Sequence, residues 1–172
     1  MRNLAIRSRS LIVGLAAASV LGVIAPSARA AGGWTWPVMG PVVRGFDPPD
    51  SPYGSGHRGI DIGVPVGTVV VAPAPGTVTF AGMVAGFLYV TIAHGGGVSS
   101  TYSWLLSVRV HEGDVVARGE PIGKTGFAHP GEATSSSLHM GVKLDDVYVN
   151  PLDYLLALDL TQMIRLAPLP AA

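Results

Sequence analysis

Two histidines and one aspartate are the residues of this chain whose types and spacing could do chemistry. His57 and Asp61 lie four residues apart in the segment 56–62, and His139 lies near the other end of the chain. Two imidazoles and a carboxylate are the protein ligands of one type of catalytic zinc site, whose fourth position is left to water. In an extended strand, residues i and i+4 share a face, so His57 and Asp61 would point at one metal ion. The same spacing also occurs on ordinary polar surfaces, and by itself it leaves both interpretations open.

The elements that must position these residues follow a β pattern. Between residues 32 and 150 no segment has the length and 3.6-residue period of a helix. Short apolar or β-branched runs are instead separated by Gly, Pro and Asp turns, and these runs predict strands at 68–72, 76–81, 87–93, 99–104, 107–110 and 139–144. The sequence therefore predicts an all-β domain. His94, which precedes three glycines, is expected to make a turn-stabilising hydrogen bond.

Two segments, 64–70 and 110–116, share a rhythm of valine and glycine, and a further glycine turn follows each of them. This pattern is typical of a small antiparallel β-sandwich or barrel built from two similar halves. A short amphipathic helix is predicted over 151–160. The tail after Arg165 is rich in Pro, Ala and Leu and is expected to fray.

The first thirty residues have the pattern of a signal peptide. Basic residues precede an apolar run at 11–25, and Ala28-Arg29-Ala30 has the small-x-small form of a cleavage site. Removal of 30 of the 172 residues leaves 142, with seven basic and eleven acidic residues and a net charge near −4. This charge argues against nucleic acid or an anionic membrane as a partner. We expect an exported, monomeric protein of the cell envelope, without disulfides because the chain has no cysteine.

Several short motifs occur in the order seen in lysostaphin-type (LytM-like) zinc endopeptidases, and the chain resembles that family over residues 34–155. The motifs are Trp36-Pro37-Val38, the segment 56–62, Gly76-Thr77-Val78, His94-Gly95 with Thr101-Tyr102, the segments 113–116 and 119–123, 138–142, and Asn150-Pro151-Leu152. The resemblance implies a duplicated hybrid-motif β fold, with a lead-in strand and loop at 31–53, a core domain at 54–155 and a tail at 156–172. It also implies one Zn²⁺ ion on His57, Asp61 and His139, and action on peptides of bacterial cell-wall peptidoglycan.

The chain departs from the family at two positions. Active relatives carry His-x-His in the last motif, where this chain has Ser137-Leu138-His139, and Tyr-x-His-Leu earlier, where it has Tyr102-Ser103-Trp104-Leu105. A serine hydroxyl is a poor base near neutral pH, and an indole offers one N–H donor and no basic lone pair. Ser137 and Trp104 are therefore the candidate substrate-side residues. His129, in the loop before the last motif, is a third candidate base, although it also fits a solvated loop.

Three interpretations stay open at this point. A zinc ion can activate water without a protein base, and loss of a general acid–base group typically costs about 10²–10⁴-fold, so the first is a slow secreted zinc peptidase. The second is a degenerate module that binds cell wall or regulates another wall hydrolase. The third is a domain in which zinc serves folding alone. Retention of all three ligands favours the first, and loss of both histidines favours the second.

Overall fold

The computed structural model describes residues 33–51, 54–127 and 136–155, and within them the chain is almost entirely β-structure. Ten strands and one short helix occur in the order β1 (Val42–Arg44), β2 (Ile60–Gly63), β3 (Val69–Val71), β4 (Gly76–Val84), β5 (Phe87–Gly95), β6 (Val98–Val108), β7 (Val115–Val116), β8 (Pro121–Thr125), β9 (Ser137–Leu144), β10 (Val147–Val149) and α1 (Leu152–Leu155). The all-β prediction with a short C-terminal helix is confirmed.

All ten strands pair in one antiparallel sheet. Its main path runs β1-β2-β9-β6-β5-β4-β7, while β10 pairs with β9, and β8 connects β3 to β6. The path branches on β6, whose eleven residues pair with β5, with β9 and, at the C-terminal end, with β8. This branch places three strands, β2, β9 and β6, side by side in the centre of the sheet.

These three strands have one apolar face and one polar face, because successive side chains of a strand point to opposite sides. The apolar face is fully buried and supplies Ile60, Ile62, Leu138, Met140, Val142 and Tyr102 to the core. The polar face carries Asp61, His139 and Ser103, which lie next to one another because Asp61 pairs with His139 and His139 pairs with Ser103. The core thus fixes the register of the row that carries the candidate site.

The two similar segments of the sequence exchange strands with one another. Strand β3 pairs with β8, and β4 pairs with β7, so each half completes the other. At the centre of this exchange, the N–H of Ala72 donates to Glu120 O at 2.9 Å and the N–H of Gly119 donates to Ala72 O at 2.8 Å. The rhythm that predicted two similar halves therefore corresponds to two interlocked hairpin-like units.

The structure differs from the expected elements at several points. The strands predicted at 99–104 and 107–110 form one strand, β6, whose irregular pairing near Leu105 allows it to leave β9 and join β8. Strand β1 lies within the lead-in at 31–53, whereas β7, β8 and β10 were not among the predicted runs. The helix predicted over 151–160 is described only at Leu152–Leu155. Its remainder, the predicted signal segment and the tail lie outside the described residues.

No helix of the described ranges is long and apolar enough to cross a membrane.

Candidate metal centre

The structure brings His57, Asp61 and His139 together on the polar face of the sheet. Asp61 and His139 are directly opposite each other on β2 and β9, so the sheet register alone places them side by side. The three side chains are 7 %, 2 % and 16 % exposed, in chain order. Each offers one ligand atom, and these atoms lie within 4.8 Å of one another.

His57 reaches this row by a route that the sequence interpretation described wrongly. It does not lie on an extended strand with Asp61. It makes an isolated bridge with Asp47, the chain then bends, and β2 begins only at Ile60. The bend brings Gly59 so close to β9 that a Cβ there would lie 2.3 Å from Met140 O and 2.9 Å from His139 Nε2. A glycine is therefore required at this crossing, and the bend rather than strand alternation aims His57 at the site.

The three donor atoms form a small triangle. His57 Nε2 lies 3.1 Å from Asp61 Oδ1 and 3.1 Å from His139 Nδ1, and His139 Nδ1 lies 2.7 Å from Asp61 Oδ1. Tetrahedral zinc with bonds of about 2.0–2.1 Å would hold its ligand atoms roughly 3.3 Å apart. Small outward movements of the side chains would therefore bring the triangle to the dimensions of a zinc site.

The hydrogen-bond chemistry of the triangle also fits a cation. His57 Nδ1 lies 2.6 Å from Gly45 O and must donate its N–H to that carbonyl, which leaves Nε2 of the neutral ring as a bare lone pair. That lone pair faces Asp61 Oδ1, which is itself only an acceptor. A proton on His139 Nδ1 can satisfy one of these two acceptors, so one repulsive contact remains. A bound cation would remove it, and this donor set therefore fits a metal ion.

The electrostatics of Asp61 favour the carboxylate. Burial of this side chain by itself raises the pKa of the carboxyl group, but its contacts with the two imidazoles, above all the hydrogen bond from His139, lower that pKa below its ordinary value. A deprotonated carboxylate at the centre of the row is the state that binds a cation.

The candidate substrate-side residues lie beside the triangle. Ser137 lies two residues before His139 on β9, is buried, and pairs with Gly63. Residues i and i+2 of a strand share a face, so Ser137 is on the site face. The Trp104 ring lies 5.0 Å from the His139 ring, centroid to centroid. His129 lies outside the described residues.

Three contributors to the site were missed by the sequence interpretation. They are the Gly45 carbonyl that orients His57, the absence of a side chain at Gly59, and Ser103 opposite His139. Only Gly59 carried a signal, because it lies inside the motif between the two N-terminal ligands. The expected hydrogen bond of His94 is present and joins its Nδ1 to Pro75 O at 3.0 Å.

The model of peptidase family M23 matches residues 55–151 of this chain. The chain belongs to peptidase family M23. The matched residues include all three members of the triangle and both positions at which the candidate substrate-side histidines are replaced. The likeness to lysostaphin-type enzymes predicted from the motifs is thereby confirmed.

Individual relatives agree with this family. An uncharacterized protein of Mycobacterium tuberculosis is 36% identical over 140 residues, which cover 78% of this chain and 54% of that protein. The DD-carboxypeptidase/endopeptidase Mpg of Neisseria meningitidis is 38% identical over 96 residues, 55% of this chain and 22% of that protein. The M23 chain thus spans about half the length of the mycobacterial relative and less of the meningococcal one.

Among solved structures, the catalytic domain of the antimicrobial peptidase lysostaphin from Staphylococcus simulans matches with a TM-score of 0.57 and 25% identity. The match covers 66% of this chain and 90% of that domain. The M23 chain therefore contains nearly the whole of the fold that forms a catalytic domain in lysostaphin.

Proposed function

We propose that this protein is a zinc endopeptidase of the bacterial cell envelope that hydrolyses peptide bonds of peptidoglycan, with reduced activity. The observation that carries the proposal is the triangle of donor atoms, in which two imidazole nitrogens and one carboxylate oxygen face one another at 2.7–3.1 Å. Two imidazoles and a buried carboxylate that converge on one point are the donor set of a catalytic zinc site. The membership in family M23 supports a peptidase, and the lysostaphin likeness supports cell-wall peptide as the substrate class.

Each ligand residue would have its own part in the site. His57, Asp61 and His139 would hold the zinc ion, which supplies a Lewis acid for the scissile carbonyl and for water. Asp61 contributes the negative charge, and the Gly45 carbonyl holds His57 in the tautomer whose Nε2 is free to bind. The site lies at the centre of the sheet on the face opposite the core, so rigid strands carry two of the three ligands.

The proposed activity is reduced because no histidine occupies the substrate side of the described site. Ser137 can donate or accept a hydrogen bond to a bound peptide, but its hydroxyl does not take up a proton near pH 7. Loss of a positioned general acid–base group costs about 10²–10⁴-fold in rate. The protein should therefore cleave slowly rather than not at all, and the bound peptide should be held mainly by polar contacts along the site face.

A second function is favoured by the same two positions. Ser137 and Trp104 replace both non-ligand histidines that the resemblance implies, which is the pattern expected of a module that binds wall peptides or regulates another wall hydrolase. In that function the metal would orient a bound peptide without cleaving it. The two functions make different predictions for a variant in which the missing imidazole is restored.

The experiment uses the full exported chain, loaded with one equivalent of zinc and incubated with purified peptidoglycan, with soluble peptides identified by mass spectrometry. Wild type should release peptide slowly. Ser137→His places an imidazole two residues before His139 on the same face and should raise the rate at least about tenfold, a cautious share of the usual general-base effect. His111→Ala, a change of a side chain that is 91% exposed and lies beside Asp114 at the turn, is the matched control and should leave the rate unchanged.

Three outcomes distinguish the alternatives. A faster Ser137→His variant supports the peptidase. If zinc is bound but wild type, Ser137→His and the Ser137→His, Trp104→His double variant all release nothing, the peptidase proposal is wrong and the binding or regulatory module replaces it. A wild-type protein without affinity for zinc would also overturn the peptidase proposal and would leave the module as a binding or regulatory domain without a metal.

A further inference from the structure

Trp104 has the most unusual backbone conformation near the site. Its φ angle is +58°, in the left-handed region that bulky side chains rarely adopt. The conformation is held by the neighbouring segment, because the N–H of Gly126 donates to Trp104 O at 3.0 Å. A Cβ on Gly126 would lie 2.4 Å from that oxygen and 3.0 Å from the nitrogen of Leu106, so the two segments are in close contact. Strained residues of this kind persist where the surroundings over-determine them.

The consequence of this conformation is the position of the indole ring. After Ser103, which still pairs with His139, strand β6 turns away toward β8. The left-handed residue lies at this departure, and its ring contacts the His139 ring at 5.0 Å between centroids and 50° between planes. The strained backbone of Trp104 thus lies where β6 changes its partner strand, and the Trp104 side chain contacts a candidate ligand there.

The two candidate histidine ligands are held in different ways. His57 is anchored by a hydrogen bond from Nδ1 to Gly45 O, the usual device for fixing a ligand imidazole. The hydrogen bonds of His139 within the described residues all involve Nδ1, toward His57 and Asp61. Its opposite edge passes Gly59, where a Cβ would lie 2.8 Å from Cε1 and 2.9 Å from Nε2. Packing therefore replaces the hydrogen bond as the orienting contact of His139.

We infer that Trp104 is a positioning residue for His139. Its indole, fixed by the left-handed backbone and the Gly126 contact, holds the imidazole ring so that Nδ1 faces His57 and Asp61. Gly59 leaves the space for the other edge of the ring, and the indole closes the side from which the ring would otherwise rotate. This inference rests on the proposed metal site. It assigns to Trp104 the orientation of a ligand, in place of the proton transfer that a histidine at this position would offer.

Metal affinity measures this role without any need for turnover. The dissociation constant for Zn²⁺ is measured by competition with a chromophoric chelator, and the visible absorption of the Co²⁺-loaded protein reports the ligand geometry. Loss of an orienting contact of a metal ligand typically costs 10–100-fold in affinity. Trp104→Ala should therefore bind Zn²⁺ about tenfold or more weakly and change the Co²⁺ spectrum. Trp104→Phe, which keeps an aromatic face at the same backbone, should remain within about threefold of wild type.

The matched control is Leu106→Ala, two residues along the same strand and 52% exposed, which should leave both measurements unchanged. Thermal unfolding in the presence of a chelator reports whether each variant is folded. If Trp104→Ala does not fold, Trp104→Leu replaces it in both measurements, because leucine keeps an apolar side chain and removes the flat aromatic face.

Tight zinc binding by wild type, together with an unchanged dissociation constant and Co²⁺ spectrum for a folded Trp104→Ala variant, would overturn the positioning role and leave the metal site intact. The same result for a folded Trp104→Leu variant would also overturn it. Wild-type protein that binds neither ion would overturn the metal site, and the positioning role with it.

Discussion

Two histidine clusters lie in the same sheet, and they use the imidazole ring in opposite ways. In the first, which we call the His94 cluster, His94 Nδ1 donates to Pro75 O at 3.0 Å, and its Nε2 accepts from Ser100 Oγ at 2.8 Å. Ser100 Oγ in turn lies 2.8 Å from the hydroxyl of Tyr102. Each of these polar groups has a neutral partner, and the His94 ring packs against Trp34 at an angle of 53° between the ring planes. The cluster forms a closed network with no capacity left for a ligand.

The second cluster, His57, Asp61 and His139, leaves part of its hydrogen-bonding capacity unused. After the bond to Gly45, its donors are fewer than its acceptors, and the acceptors face one another. Strand alternation separates the two clusters, because Ser100 and Tyr102 of β6 point into the core and Ser103 points to the other face. The comparison shows that burial of a histidine does not indicate a metal site, whereas converging acceptors without enough protons do.

The largest expected effect separates the clusters by zinc affinity. His139→Ala removes one of three protein bonds to the ion and should weaken zinc binding by about a thousandfold or more. His94→Ala should leave the dissociation constant unchanged, because neither its ring nor its partners belong to the triangle. Chelator competition and elemental analysis measure both. Equal zinc content in wild type and His139→Ala would show that the ion binds elsewhere.

The second effect is on stability, where His94→Ala should cost more than His139→Ala. His94→Ala should lower the free energy of unfolding by roughly 2–3 kcal/mol, since it leaves Pro75 O and the Ser100 hydroxyl with fewer partners and opens a cavity below Trp34. His139→Ala should cost less in metal-free protein, because it also removes a repulsive contact. Denaturant unfolding in the presence of a chelator gives both values. A smaller loss for His94→Ala than for His139→Ala would contradict the assignment.

The sequence predicted the second cluster better than it predicted the path that forms it. The three ligand residues followed from the order of the motifs, but the orientation of the His57 side chain was attributed to strand alternation. That orientation depends instead on the bridge to Asp47 and on the close contact of Gly59 with His139. Both are contacts between segments far apart in sequence, and local periodicity contains no information about them. The same holds for the ring of Trp104, whose position depends on a left-handed backbone stabilised by Gly126.

The strands also divide into those that the local sequence predicts and those that depend on distant contacts. Long runs rich in apolar or β-branched residues, such as β5 and β9, were predicted close to their observed bounds because one face must be apolar. Strand β1 is exposed along its whole length, and β8 contains both a proline and glycine, so neither has the expected pattern. These strands form because their backbone groups pair with those of a neighbouring strand. That pairing depends on the assembled sheet and cannot be read from the local sequence.

The third effect is the pH dependence of stability, which should occur in two separate windows. Burial lowers the pKa of His94 below its ordinary value of 6.5, and the contact with Pro75 offsets this in part. The unfolded chain therefore binds a proton at His94 more readily than the folded chain, so stability is full above about pH 6.5 and falls as the pH decreases below it. The lowered pKa of the Asp61 carboxyl instead gives a loss that begins only below about pH 4.

His94→Gln isolates the first window, because it removes the titrating ring and keeps a polar side chain. Free energies of unfolding of metal-free protein, measured at intervals between pH 4.5 and 8, should fall less for the variant than for wild type. An identical decrease of the free energy of unfolding with pH in the two proteins would show that protonation of other groups causes the loss of stability.

The smallest effect tests the far end of the His94 cluster. Tyr102 is fully buried, and burial raises the pKa of its hydroxyl above the ordinary value, so the group stays protonated and acts as the donor to Ser100. Tyr102→Phe removes one O–H and preserves the ring that fills the core, and Ser100 keeps its bond to His94. The expected cost is about 1 kcal/mol of unfolding free energy, the usual net worth of one hydrogen bond. Zinc affinity should not change, although Tyr102 is adjacent in sequence to Ser103. A loss of affinity in Tyr102→Phe would mean that the two faces of β6 are coupled, and the separation of the clusters would then be wrong.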